Sequence, residues 1–207
     1  MKALILKDLY MFFKYCRSYL ILILIFTILS FFETDMFIMF YPTMLCGMIP
    51  VTLLGYDERS KWLIYSQTMP YKKSEIVHSK YVLGLTAQLI MLFITAIAQA
   101  IRLNVNNSFI LENYIIIIVL LLIMSLISSS ISLPFIFKYG VEKGRIIYYI
   151  MVGLISAGSI LLSGIATEIS EIKVDLVSIL PILFIIGVGI YSLSWFLSVV
   201  FYKKREL

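Results

Sequence analysis

Residues able to do chemistry are few in this chain, and they collect in short charged segments. The densest is Asp57-Glu58-Arg59-Ser60-Lys61-Trp62, which is followed by Tyr65 and Met69. Carboxylates, cations and aromatic rings in one short stretch suit contact chemistry, either docking a partner or resting on lipid headgroups. Bond-making chemistry is poorly provided for. The only histidine, His78, lies in the charged loop over residues 57–80, so a Ser-His protease or a His-based metal site within the apolar regions has no inventory. No G-x-x-x-x-G-K-[ST] loop is present, and with it goes ATP binding by that route. The chain is expected to be no enzyme and to hold no cofactor or metal; any work it performs would draw on energy from another chain.

The elements that position these residues are six uncharged stretches, at residues 18–32, 36–56, 81–101, 113–137, 146–167 and 176–202. About 20 apolar residues at about 1.5 Å rise cross a hydrocarbon core of about 30 Å, and five of the six hold 21 to 27 residues. The first holds 15. It spans if Arg17 or Glu33 lies in the headgroup region, or if the run continues through Met36 to Phe40. The apolar fraction of 61% exceeds the about 45–50% of soluble domains. The runs are apolar on every face, unlike the alternating strands of a membrane barrel. The expectation is an all-α polytopic membrane protein, a single domain over 1–207 with six transmembrane helices. The depths of Cys16 and Cys46 argue against a disulfide. Lys2, Lys7, Lys14 and Arg17 interleave with large apolar residues and no small-residue site follows, which argues against a cleavable signal.

Of the 17 Lys and Arg, 15 fall in residues 1–17, 57–80, 138–145 and 203–207, and only Arg102 and Lys173 fall in the alternate loops. By the positive-inside rule both termini and the two basic loops face the cytoplasm. The net charge of +5 is then topological, and no nucleic-acid partner is implied. Tyr56, Tyr81, Tyr114 and Tyr202 sit at the stretch ends, where amphipathic rings prefer to lie. No Asp, Glu, Lys, Arg or His interrupts a stretch, so no proton- or ion-coupling site is offered.

On a helical wheel Lys2, Lys7, Lys14 and Arg17 share one side, with Leu4, Ile5, Phe12 and Cys16 opposite, as in a helix lying in the interface plane. Residues 57–68 contain no breaker before Pro70, which predicts a short helix with Glu58, Trp62, Tyr65 and Met69 on one stripe. Ser74 is placed to cap a second helix that starts at Glu75 and continues into the third stretch. Gln88 and Gln99 share a face, and Ser125, Ser128, Ser129, Ser130 and Ser132 gather in the fourth stretch. These polar residues are candidates for lining a pathway or for packing within the bundle. In the fifth, Gly153, Ser156, Ala157, Gly158, Ser159, Ser163 and Gly164 invite close helix approach, within the bundle or at a subunit interface. Asn106, Asn107 and Ser108 form a formal sequon and read as a polar external turn.

The segment from Asp57 through Trp62, Met69-Pro70 and Lys73-Ser74-Glu75-Ile76-Val77 to Lys80-Tyr81 resembles the coupling loop of bacterial type 2 ATP-binding cassette permeases. The string Leu133-Pro134-Phe135-Ile136-Phe137-Lys138-Tyr139-Gly140-Val141-Glu142-Lys143-Gly144-Arg145 is similar to the link between spans four and five in one branch of that family. That branch includes exporters of amphipathic or antimicrobial peptides such as phenol-soluble modulins. The resemblance implies a permease in the bacterial cytoplasmic membrane, working with a second permease subunit, identical or not, and with cytoplasmic ATPase subunits that bind ATP and Mg. It also implies ATPase coupling through Asp57, Glu58, Arg59, Trp62, Tyr65 and Met69, with membrane lipid around the bundle. Two other readings stay open, a six-span substrate-binding subunit of a vitamin importer and a non-transporting immunity or sensor protein.

Overall fold

The computed structural model describes residues 2–32, 36–105, 110–166 and 176–204, and within them the chain is all helical. In order these are α1 (Lys2–Tyr15), α2 (Arg17–Phe32), α3 (Met36–Arg59), α4 (Trp62–Tyr65) with a 3-10 turn at Ser66–Thr68, α5 (Lys73–Val105), α6 (Leu111–Tyr139), α7 (Val141–Ala166) and α8 (Leu176–Lys204). Three helices are long and apolar enough to cross a membrane, at Lys73–Val105, Tyr114–Tyr139 and Ile179–Lys204. The pair α1 and α2, bent by 71°, makes a fourth if it counts as one broken span. The sequon and the cation Lys173 lie outside the described residues.

The α1–α2 corner turns at Cys16, whose side chain is fully buried. Backbone bonds run through the corner, from Cys16 N–H to the Phe12 carbonyl and from Leu20 N–H to the Cys16 carbonyl. The 16 residues of α2 rise only about 24 Å. α2 packs along α3, and the Phe26 and Tyr41 rings meet at 4.2 Å. Residues Met36 to Phe40 therefore belong to the second apolar helix and do not lengthen the first.

α6 is the central helix and packs on α3, α5, α7 and α8. Its serines make this feasible. Ser125, Ser130 and Ser132 donate to the carbonyls of Leu122, Leu126 and Ser128 in their own helix, so short side chains keep the surface flat and their hydroxyls stay satisfied. α5 crosses α3 where Gly84 lies against Pro50, a Cβ there standing 3.1 Å from the proline Cγ. α8 is held by tyrosines: Tyr81 Oη lies 2.7 Å from both Ser194 Oγ and Ser198 Oγ, and Tyr191 Oη donates to the Tyr81 carbonyl.

α6 ends and α7 begins about a single residue, Gly140, at φ 91°. That left-handed region strains any residue with a Cβ. The two helix ends then run so close that a Cβ on Gly144 would sit 2.0 Å from Ile136 Cγ1 and 3.1 Å from its Cβ. Overpacking of this kind costs about 1–3 kcal/mol. Gly144→Ala should therefore lower the thermal midpoint of the purified protein, and adding Ile136→Ala should harm it less than the two separate losses combined. A Gly144→Ala melt matching the wild type would contradict this close approach.

Candidate coupling site at the charged end of the bundle

Side chains from three helices meet in a closed ring of charges. α1 folds back on the bundle with Leu4, Asp8 and Cys16 buried, one turn or two apart on a single face. Asp57 stands in the last turn of α3, and Lys80 lies seven residues past the start of α5. Lys80 Nζ is 2.6 Å from Asp8 Oδ1 and 2.7 Å from Asp57 Oδ2. Lys7 Nζ is 2.7 Å from Asp57 Oδ1 and 3.2 Å from Asp8 Oδ1. The contact between Lys80 and Asp57 has ion-pair distance without hydrogen-bond alignment. Ser79 Oγ lies 3.3 Å from Asp8 Oδ2.

The side chains of Asp8, Asp57 and Lys80 are each 1% exposed, against 24% for Lys7. Burying charge so deeply is costly, and only mutual pairing makes it tolerable. Two ammonium groups and two carboxylates balance, and each carboxylate faces both cations. The ring ties α1 to both sides of the segment at residues 60–72, since Asp57 precedes that segment and Lys80 follows it. At the α1–α2 corner, burial pushes the Cys16 thiol up to about 11, so a neutral thiol rather than a reactive thiolate occupies it.

The intervening segment is held from within. Lys61 adopts the left-handed conformation at φ 55° and separates α3 from the four-residue α4. The predicted continuous helix over residues 57–68 is therefore broken, and its stripe of four residues is dispersed. Glu58 turns away from the segment and accepts the Val141 N–H at 3.2 Å, so its carboxylate caps α7, where helix-end donors and dipole favour an anion. Arg59 is exposed. Trp62 packs half-buried on the core, with Lys7 Nζ 4.5 Å above its ring. What α4 and the following turn present outward is Ile64, Tyr65 and Met69, at 53%, 62% and 39% exposure. α5 starts at Lys73, two residues before the predicted Glu75. Its cap is Glu75, which accepts the Lys72 N–H at 3.1 Å in the returning half of a capping box; Ser74 does not serve.

The segments expected to share one side of a membrane do share one end of the bundle. Besides the ring and the Glu58 cap, Lys73 Nζ reaches the Lys203 carbonyl and Lys138 Nζ lies 5.0 Å from the Phe201 ring. Gln99 Nε2 donates to the Ser30 carbonyl and Tyr114 Oη to the Ala96 carbonyl, and these bonds close the opposite end.

The sequence model of the family described as ABC-2 family transporter protein matches residues 3–203. This chain belongs to the ABC-2 transporter family. No curated protein and no solved structure gives a match. The ABC-2 protein is accordingly a permease subunit of an ATP-binding cassette transporter, a membrane component whose family implies association with ATP-binding cassette ATPases.

In this ABC-2 permease the polar residues singled out from the third and fourth apolar stretches, among them Gln88, Gln99, Ser128 and Ser132, are all buried. Gln88 Nε2 donates to the Ser125 carbonyl on α6, and Gln99 Oε1 accepts from Arg102. Ser132 bonds within α6, and Ser128 lies buried in the same helix. Gln88 also fixes the α3–α5–α6 crossing, its Nε2 lying 3.0 Å from where a Cβ on Gly47 would stand. Sequence reasoning missed the ring. It placed Lys7 on a water-facing side and passed over Asp8, although Asp8 shares the stripe of Leu4 and Cys16, four residues from one and eight from the other. An anion on the apolar side of a basic helix was the signal available.

Proposed function

We propose that this permease is an exporter subunit whose segment at residues 60–72 receives the motion of a separate ATPase and whose buried ring passes that motion to α1, α3 and α5 together. The observation that carries the proposal is the ring itself, because a displacement of the loop moves Asp57 at one root and Lys80 at the other. Ile64, Tyr65 and Met69 form the docking face. Glu58 extends the linkage to α7 through its cap. α2, α3 and α7 complete six spans with the three long helices and place the charged end and both termini in the cytoplasm of a bacterial cell, in line with the cation distribution. A second permease subunit packs on α7, which contacts only α3 and α6 among the described helices. A Cβ atom built at its Gly158 would meet nothing within 4 Å.

The cargo fitting this reading is amphipathic, a peptide above all. A cavity of about 410 Å³ between α2, α3 and α7 is lined by Tyr19, Tyr41, Tyr148, Tyr149, Met44 and Met48. Phenol edges and flexible thioether walls accept molecules with both polar and apolar faces. Reconstitution in vesicles tests the proposal. The chain alone should hydrolyse no ATP and respond to no ion gradient, and transport of an amphipathic peptide should appear when its ATPase and ATP are added. Gradient-driven transport by the chain alone would sink the exporter assignment.

A further inference from the structure

A second concave surface lies on the opposite side of α3, in the angle of the α1–α2 corner. It encloses about 490 Å³ and is lined by residues of α1, α2, α3 and α5, among them Leu9, Phe13, Leu20, Leu24, Ile90 and Ile94. Besides the sulfurs of Cys46 and Met91, only Thr27 and Thr86 add side-chain heteroatoms to its wall, and both threonine hydroxyls are already donated to carbonyls of their own helices, those of Ile23 and Leu83. The depth of the groove thus offers no free hydroxyl, amide or charged group, only sulfurs that bond weakly. A peptide backbone seated there would bury unpaired amides at a cost of kilocalories each, whereas a hydrocarbon chain loses nothing.

Length and charge narrow the occupant further. Along α5 the wall runs from Leu83 to Ile94, eleven residues or about 16 Å, which is one leaflet of a hydrocarbon core about 30 Å thick. Leu83 lies three residues from the ring lysine, so the groove begins at the charged end. There Arg17 heads the row of Leu20 and Leu24 on α2, at i+3 and i+7 spacing. Its Nε donates to the Phe13 carbonyl. Lys14 is exposed one turn earlier, with its Nζ 5.3 Å from the Tyr15 ring. Neither Arg17 nor Lys14 has an acidic partner among the described residues. The outward stripe of α1 is apolar, with Leu6, Leu9, Tyr10 and Phe13 exposed, and it runs into the groove through Leu9 and Phe13. We infer that this groove is a binding site for one acyl chain of an anionic phospholipid, its phosphate held by Arg17 and Lys14. The inference rests on the bilayer placement of the chain and on no ATPase, so its test is independent of transport.

The probe is phosphatidylglycerol carrying a photoactivatable group on one acyl chain, compared with the matching phosphatidylcholine in nanodiscs holding the intact protein. Label should map to groove residues such as Leu24 and Ile90, and the anionic lipid should be preferred by about fivefold per cation. Arg17→Gln with Lys14→Gln should keep the groove label and lose the preference. Ala87→Trp, which fills the groove, should abolish the label. Competition by unlabelled phosphatidylglycerol in the wild type gives the same answer should the tryptophan variant fail to fold. Label spread evenly onto the exposed residues Phe93, Ile97 and Phe196 would overturn the site. Equal labelling by the two headgroups would overturn its anionic character, and displacement by an amphipathic peptide would reassign the groove to cargo.

Discussion

Asp8→Ala should be among the most damaging single substitutions in the chain. It leaves Lys7 and Lys80 facing Asp57 alone, with Lys80 buried to 1% exposure. Removing one partner of a buried ion pair costs about 3–5 kcal/mol, equivalent to two or more orders of magnitude in the folded ratio. Lys80→Ala should do comparable harm. The double variant Asp8→Leu with Lys80→Met removes one cation and one anion and keeps the Lys7–Asp57 pair at 2.7 Å. Apolar replacement of a whole buried pair is often neutral or better, so the double variant should melt near the wild type. Its ATP-driven transport should stay lost, because α1 and α5 no longer share a charge contact. Thermal melts and transport are measured on the same preparations. Single variants as stable as the wild type would mean that the ring is wet, and full transport by the double variant would reduce the ring to a structural element.

The apolar helices were legible because length and hydropathy act locally. α5, α6 and α8 cover the third, fourth and sixth uncharged stretches, each extending beyond the stretch itself at one end or both. The tertiary contacts of the charged segments were less so. Nothing in residues 57–68 signals a break, since Lys61 is neither glycine nor proline; its left-handed backbone accompanies the docking of Trp62 against Lys7 and the core. Glu58 was read as part of an outward stripe, but it finds its partner 83 residues away at Val141. A helix runs over Lys2–Tyr15 and Leu4 and Cys16 of its expected inner face are buried, but Lys7 and Asp8 were misread, because a wheel ranks residues by polarity and cannot see that they meet opposite charges on α3 and α5. Gln88 and Gln99 were expected to turn inward, and each bonds a neighbouring helix. The family itself was legible in the loop motifs, and residues 3–203 match its model.

The face that touches the ATPase should be Tyr65 with Ile64 and Met69, and not Trp62. A large aromatic at an interface centre typically contributes about 2 kcal/mol or more, about thirtyfold in affinity. Tyr65→Ala should therefore cut ATPase retention by about that factor while the melting temperature stays unchanged, since Tyr65 is 62% exposed. Trp62→Ala should show the reverse balance, losing stability through its packing on the core and its contact with Lys7. Ile64→Ala should weaken retention in the same direction as Tyr65→Ala. The most direct measurement places a single cysteine at position 65, in a chain lacking Cys16 and Cys46, and cross-links it in native membranes. The account predicts a stoichiometric adduct with an ATP-binding cassette ATPase whose yield changes when ATP is added. An adduct with lipid alone, or none with any ATPase while transport persists, would contradict it.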